Sequence, residues 1–323
     1  MKNQSRRYVA GALLTFLVFT ASTWHLLADA DDQYSDWSAP VNLGPPVNWI
    51  FADVDPFISK NGLSLYFSCN NCPGGFGGFD LWVSHRSRAE DPWGLPQNLV
   101  ALNTSANETN PVLSSDEHKM YFTSNRPGGF GATDLYVSRR HNKRDNLAWQ
   151  PPENLGGSIN TTANDRMATY LEDELTGVIT LYFSSDRPGG LGGDDIYAST
   201  LQPDETFGPA VLVAELSSPF SEQHPAVRRR DGLEFFLVSN RPGSLLNPMG
   251  QPSFDLWVST RASTLAPWSA PVNLGPVVNS PFHDGRASLS FDNTTLYFQA
   301  AQRVGNVTPA FDLWVTTRTK LQD

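Results

Sequence analysis

The chain has 323 residues, 40% of them hydrophobic and 17% charged, enough apolar material for one large core or two smaller ones. Its 23 basic residues against 33 acidic ones give a net charge of −10, which argues against nucleic acid or an anionic membrane as partner, because both require a basic face.

The first thirty residues differ from the rest. Lys2, Arg6 and Arg7 precede an apolar run from about Tyr8 to Phe19, and Ala28-Asp29-Ala30 offers small residues for cleavage. This pattern predicts a signal peptide over residues 1–30 and a single mature domain over 31–323, periplasmic or secreted. The run falls short of the roughly 20 residues a membrane span requires, so no membrane insertion is expected after cleavage. An uncleaved anchor is the alternative, and Ser5-Arg6-Arg7 also allows a twin-arginine export route. Cleavage leaves 20 basic residues against 32 acidic ones.

From Trp37 onward one unit recurs. Trp37 to Leu43 returns as Trp93 to Leu99, Trp149 to Leu155, Phe207 to Val213 and Trp268 to Leu274, at spacings of 56, 56, 58 and 61 residues. Each period then presents a polar pair, a β-rich triplet such as Leu65-Tyr66-Phe67, a Gly-rich hairpin, and an Asp-Leu-Trp relative such as Asp80-Leu81-Trp82. Aromatic and β-branched runs between turn residues are strands, and four short strands per period describe a propeller blade. With the strands of a blade termed a to d, the Trp-x-x-Pro-x-Asn-Leu segment is strand d of the preceding blade. The fifth a-b-c set ends near Thr317 with no such segment after it, so Trp37 to Leu43 is expected to complete the last blade. The predicted fold is an all-β, five-bladed propeller of four-stranded antiparallel blades, closed by its N-terminal strand.

Ser124 to Gly131 followed by Asp134-Leu135-Tyr136, and Ser185 to Gly192 followed by Asp195-Ile196-Tyr197, resemble the TolB-like (WD40-like) propeller repeat of bacterial envelope proteins. The resemblance covers residues 37–317. It implies the propeller fold and an envelope location, and it leaves function open among scaffold, binding module and enzyme.

Most motifs have a structural reading. No helix follows the Arg-Pro-Gly-Gly hairpins, as a phosphate cradle would need, so Arg126 and Arg187 are expected to pair with Asp134 and Asp195. Cys69 and Cys72 sit in the first blade's copy of this hairpin, where the Arg is absent, and in an exported chain they are expected to form a local disulfide. The six histidines are dispersed without metal-ligand spacing, and no metal site or cofactor is expected from them. Among the tryptophans after residue 30, Trp49 alone lies outside the repeat, in a d-to-a loop where it could stack on a sugar or pack on the next blade.

The start of strand a carries the functional signal. Aligned on the following Pro, the copies read Asp53-x-Asp55, Glu108-x-Asn110, Asn164-x-Arg166, Glu222-x-His224 and Asp284-x-Arg286. Residues i and i+2 of a strand share a side, so two stacked polar rings are expected at the channel mouth, the lower one unequal from blade to blade. Ligand-binding candidates are therefore Trp49, Asp53, Glu108, Asn110, Arg166, His224, Asp284 and Arg286, for a saccharide or peptide, or an envelope protein partner. A second reading rests on resemblance to five-bladed glycosidases of the arabinanase type: Asp55-Pro56 resembles the Asp-Pro carrying their general base, which implies Glu222 as the acid. A third has Asp53, Asp55, Glu108 and Asp284 sharing a structural calcium.

Overall fold

The computed structural model describes residues 34–307 and 309–321; the predicted signal peptide lies outside these residues. The described residues form a five-bladed β-propeller with almost no helix. Blade one comprises β2 (Ala52–Ile58), β3 (Ser64–Asn70), β4 (Phe79–His85) and β5 (Gln97–Asn98). Blade two comprises β6 (Glu108–Leu113), β7 (Lys119–Ser124), β8 (Asp134–Arg139) and β9 (Glu153–Asn154). Blade three comprises β10 (Asp165–Glu172), β11 (Ile179–Ser185), β12 (Asp195–Thr200) and β13 (Val211–Leu212), and blade four β14 (Glu222–Val227), β15 (Glu234–Ser239), β16 (Asp255–Thr260) and β17 (Val272–Asn273). In blade five, β18 (Asp284–Leu289), β19 (Thr295–Ala301) and β20 (Phe311–Thr317) are completed by β1 (Val41–Asn42). The seam is the predicted one: β1 pairs antiparallel with β20, Val41 opposite Val315 and Asn42 opposite Trp314.

The triplets of strand b explain why the sheets stack. In a strand successive side chains face opposite sides, so Leu65 and Phe67 pack toward blade five, beside Tyr297 and Leu313, while Tyr66 packs toward blade two. The same division recurs around the ring, and nearly all of these side chains are fully buried. Burying each contributes roughly 1.5–3 kcal/mol, so the core consists of five equivalent seams rather than one centre.

The d-strand tryptophans have a second partner that the repeat did not advertise. An arginine just past strand c lies over each ring: Arg86 over Trp93 at 4.2 Å, Arg140 over Trp149 at 4.5 Å, Arg261 over Trp268 at 4.1 Å and Arg318 over Trp37 at 4.6 Å. A side-chain clamp adds to this. Asn48, Asn103, Asn160 and Asn279 each donate to and accept from the backbone of the preceding blade's strand c, at Leu313, Leu81, Leu135 and Leu256. Ser217 supplies only the acceptor half, to the Ile196 amide.

Candidate functional site on the propeller axis

Every strand a carries the same irregularity near its start. Pairing with strand b shifts register after the second residue, the third in blade one, and the residue at the shift lies in the left-handed region: Asp55 (φ 58), Asn110 (φ 57), Met167 (φ 60), His224 (φ 50) and Arg286 (φ 38). For residues other than Gly this conformation costs roughly 1–2 kcal/mol each, so five such residues in a ring are a built feature of the fold. The bulge interrupts the alternation of faces on which the two stacked rings were predicated. The two sets of side chains therefore have different destinations.

The third blade also corrects the alignment. It lacks the Pro used as the anchor, and the register places Asp165 and Met167, not Asn164 and Arg166, at the two equivalent positions. Arg166 instead forms an ion pair with Asp194 at 2.8 Å, and Gln223 donates to the same carboxylate.

The first set points back into its own blade. Glu108, Asp165, Glu222 and Asp284 are completely buried. Each meets the arginine of its blade's b–c hairpin: Arg126 at 3.1 Å, Arg187 at 2.5 Å, Arg241 at 3.0 Å and Arg303 at 3.4 Å. This corrects the expected partners of Arg126 and Arg187. Asp134 and Asp195 instead accept amide hydrogen bonds from the hairpin turn, from Phe130 and Gly131 and from Leu191 and Gly192. A loop residue four positions upstream caps each acid as well, and for Glu222 both the amide and the hydroxyl of Ser218 donate, with Ser239 adding a third bond. These four acids thus fasten loop, strand and hairpin together. Glu108 and Asp284, expected to share a calcium with Asp53 and Asp55, are each bound to an arginine.

The second set converges on the axis. Asp55 accepts from the Asn110 side-chain amide at 2.6 Å and from its backbone N–H at 3.3 Å. His224 Nδ1 lies 3.4 Å from the Asn110 amide nitrogen and 3.7 Å from Asp55. Arg286 reaches the carbonyls of Ala168 and Pro111, both at 3.4 Å, and its Nε has no partner among the described residues. Gln299 accepts the Asp55 amide at 2.7 Å. The cluster is nearly closed to solvent, with Asp55, Asn110, His224 and Arg286 between 1% and 5% exposed.

Burial governs its titration. It pushes the Asp55 carboxyl up to about 6, against the pull of Arg286. It holds His224 well below the ordinary histidine range, with Arg286, His283 and Arg166 adding to the effect. Arg286 is pushed down to about 10, with Asp55 opposing. At neutral pH the axis therefore holds an ionised Asp55, a neutral His224 and a charged Arg286. One carboxylate, one amide, one imidazole and one guanidinium meet there, on a backbone bulge that is the same in all five blades.

Trp49 and Asp53 are not part of this cluster. They line a recess of about 350 Å³ in blade one, bounded by Phe67, Trp82 and the Cys69–Cys72 disulfide. Trp49 is half exposed and meets Phe51 edge-on. Burial pushes Asp53 up to about 8, an amide hydrogen bond from Trp49 opposing and Asp312 adding to the rise. Asp53, Cys69 and Cys72 also lie close enough together to ligate a metal, but the two sulfurs are joined to each other.

The architecture has solved counterparts. The chain is similar to an alpha-L-arabinofuranosidase from Lactobacillus brevis, at 18% identity and a TM-score of 0.59, covering 86% of this chain and 93% of that one. It is similar also to the catalytic domain of a family-62 alpha-L-arabinofuranosidase from Coprinopsis cinerea, at 15% identity and a TM-score of 0.56, covering 88% and 98%. TolB from Acinetobacter baumannii superimposes at a TM-score of only 0.45 with 12% identity, covering 79% of this chain and 53% of that one, too little to carry the envelope-protein resemblance. At these identities the likeness establishes the five-bladed propeller. No protein-family model and no curated protein sequence matches the chain.

Proposed function

We propose that this chain is an exported propeller, periplasmic or secreted, that binds a saccharide over its axis, with Asp55, Asn110, His224 and Arg286 as the polar floor. The observation that carries this reading is the inequality of the axial residues on an identical backbone bulge. A purely architectural ring is served by repetition, as the acid and arginine pairs of the hairpins are. Four different hydrogen-bonding groups at one point suit a ligand with several hydroxyls in fixed positions, and perturbed titration in such a cluster is a further indicator of a functional site.

Hydrolysis is the second reading, favoured by the arabinofuranosidases that share the fold and by an Asp55 carboxyl poised near 6. It is the better supported by the comparisons; the local geometry favours binding. Glycoside hydrolysis calls for a second carboxyl about 5–9.5 Å from the first. Glu222, the partner inferred from sequence, is held by Arg241, Ser218 and Ser239, and its ion pair would have to open.

Titration calorimetry and turnover assays on a panel of arabinose-containing oligosaccharides test both readings. Binding is expected for the parent protein and is weakened at least tenfold by His224→Asn and by Asp55→Asn, each variant first checked for a cooperative melt. Absence of binding to the whole panel would sink the saccharide reading. Released sugar that disappears in Asp55→Asn would establish hydrolysis in place of binding alone.

A further inference from the structure

Blade one departs from the repeat around its b–c hairpin, and the departure leaves an open recess. In blades two to five the hairpin arginine occupies a fixed socket. Blade five is the closest template: Arg303 pairs with Asp284, donates to the Val278 carbonyl at 2.6 Å and lies over the Trp314 ring at 5.1 Å. The hairpins of blades one and five also share their backbone, each with a left-handed residue before the key position, Asn71 (φ 56) or Gln302 (φ 50), and a left-handed Gly two residues after it, Gly74 (φ 89) or Gly305 (φ 102). In this register Cys72 stands where Arg303 stands, and Cys69 where Ala300 stands.

The other walls of the socket remain in blade one. Asp53 replaces Asp284, Val47 replaces Val278, and Trp82 replaces Trp314; all three line the 350 Å³ recess. The disulfide sulfurs lie within 4.8 Å of the Asp53 carboxylate but bring no charge to it, and the recess beside them, between Asp53 and Trp82, is open. Asp53 has also lost its lesser partners. Elsewhere the capping residue four positions upstream is Thr or Ser, whose hydroxyl bonds the acid, as Thr104 does Glu108 at 2.7 Å; here it is Trp49, which gives only its amide at 3.1 Å. Asp53 is 1% exposed, and that amide is the one hydrogen bond it keeps among the described residues. Buried beside an aromatic wall, with no cation to answer it among the described residues, this carboxyl ionises only at a cost that an incoming cation would offset.

We propose that the blade-one recess is a receptor for a guanidinium group supplied by a ligand, which enters past Trp49, pairs with Asp53 and stacks on Trp82 as Arg303 does on Trp314. The site is separate from the axial cluster and stands or falls independently of the saccharide reading.

The test uses the intrinsic tryptophan fluorescence of the full mature chain, titrated with N-acetyl-arginine amide, agmatine and N-acetyl-citrulline amide. The citrulline compound keeps the planar shape and removes the charge. The two guanidines are expected to bind at least tenfold more tightly than citrulline, and the ratio between them tells a peptide arginine from a free guanidine. Asp53→Asn should remove that preference. The double variant Cys69→Ala with Cys72→Arg rebuilds the blade-five pair, and it should abolish binding while leaving Asp53 in place and the melting temperature at or above that of the parent. Equal binding of arginine and citrulline compounds, no binding of either, or guanidine binding that survives the rebuilt arginine would each overturn the proposal.

Discussion

Glu222 and Asp55 are both buried acids near the start of an inner strand, yet they answer to different neighbours. Glu222 faces a guanidinium and two hydroxyls of its own blade, so Glu222→Gln leaves Arg241 buried without its counter-charge. A loss of about 3–5 kcal/mol of stability is expected, read as a lower denaturant midpoint with an unchanged m-value. Asp53 makes a complementary prediction through pH. Its folded value of about 8 lies above the ordinary 3.8, so the folded state holds a proton there that the unfolded chain has lost. Stability therefore falls as pH rises from about 4 to about 8, with a slope of at most about 1.4 kcal/mol per unit. Asp312, which raises the folded value, widens this window, while the Trp49 amide narrows it. Melting curves from pH 5 to 8.5 should show Asp53→Asn gaining steadily on the parent; a constant gap would contradict the argument. Asp284, raised to about 7, adds to the parent's decline, whereas His224, held low, destabilises the fold in the opposite direction, below about pH 6.5. Little of this division was legible in the sequence. Residues i and i+2 belong together on an ideal strand, and only the left-handed bulge between them separates a fastening acid from an axial one.

At the scale of the element the sequence was far more informative. Aromatic triplets, Gly-rich turns and the recurring Asp before strand c located the strands b and c, because a buried strand bounded by tight turns leaves a strong local pattern. Gly75, Gly129 and Gly190 illustrate the constraint: a Cβ on any of them would collide with the carboxylate of Asp80, Asp134 or Asp195 that caps the same turn. The interblade clamp stayed hidden, since Asn48, Asn103, Asn160 and Asn279 read as ordinary loop residues until their long-range partners are known. Three of them are worth comparing by substitution. Asn48→Ala, Asn103→Ala and Asn160→Ala each strand a backbone amide and a carbonyl at a seam, at a cost of about 1–3 kcal/mol by thermal or chemical unfolding. If these side chains only decorated their loops, the three losses would stay within about 0.5 kcal/mol.

For the whole molecule, the number of blades and the place of closure followed from counting, because a ring of equivalent units cannot leave a strand over. What the count could not supply is the chemistry inside the ring, which depends on one residue per blade and on a one-residue shift in blade three. The seam itself is short, two ladder pairs in β1, reinforced by amide bonds from Ser35, Ser38 and Leu43 to strand β20 and the residues after it. Deleting residues 34–43 should nevertheless lower the melting temperature of the entire domain in one transition, because it exposes the edge of β20 and uncovers the Trp37 contact with Phe236 and Arg318. A separate early melt of blade five alone would show that the blades are less coupled than the shared cores imply.

The seam also sets the order in which the molecule can form. Nearly every pairing inside a blade joins neighbours along the chain and can zip up soon after its residues are available. Ser38 and Thr316, by contrast, meet across 278 residues. Bringing them together carries the full loop-closure entropy of the chain unless the intervening blades have already stacked and delivered one end to the other. Strand β1, the N-terminal partner in this pairing, is consequently expected to dock after the other strands of the ring. Until β18, β19 and β20 have formed, β1 has no partner strand, and until β1 docks the edge of β20 stays open.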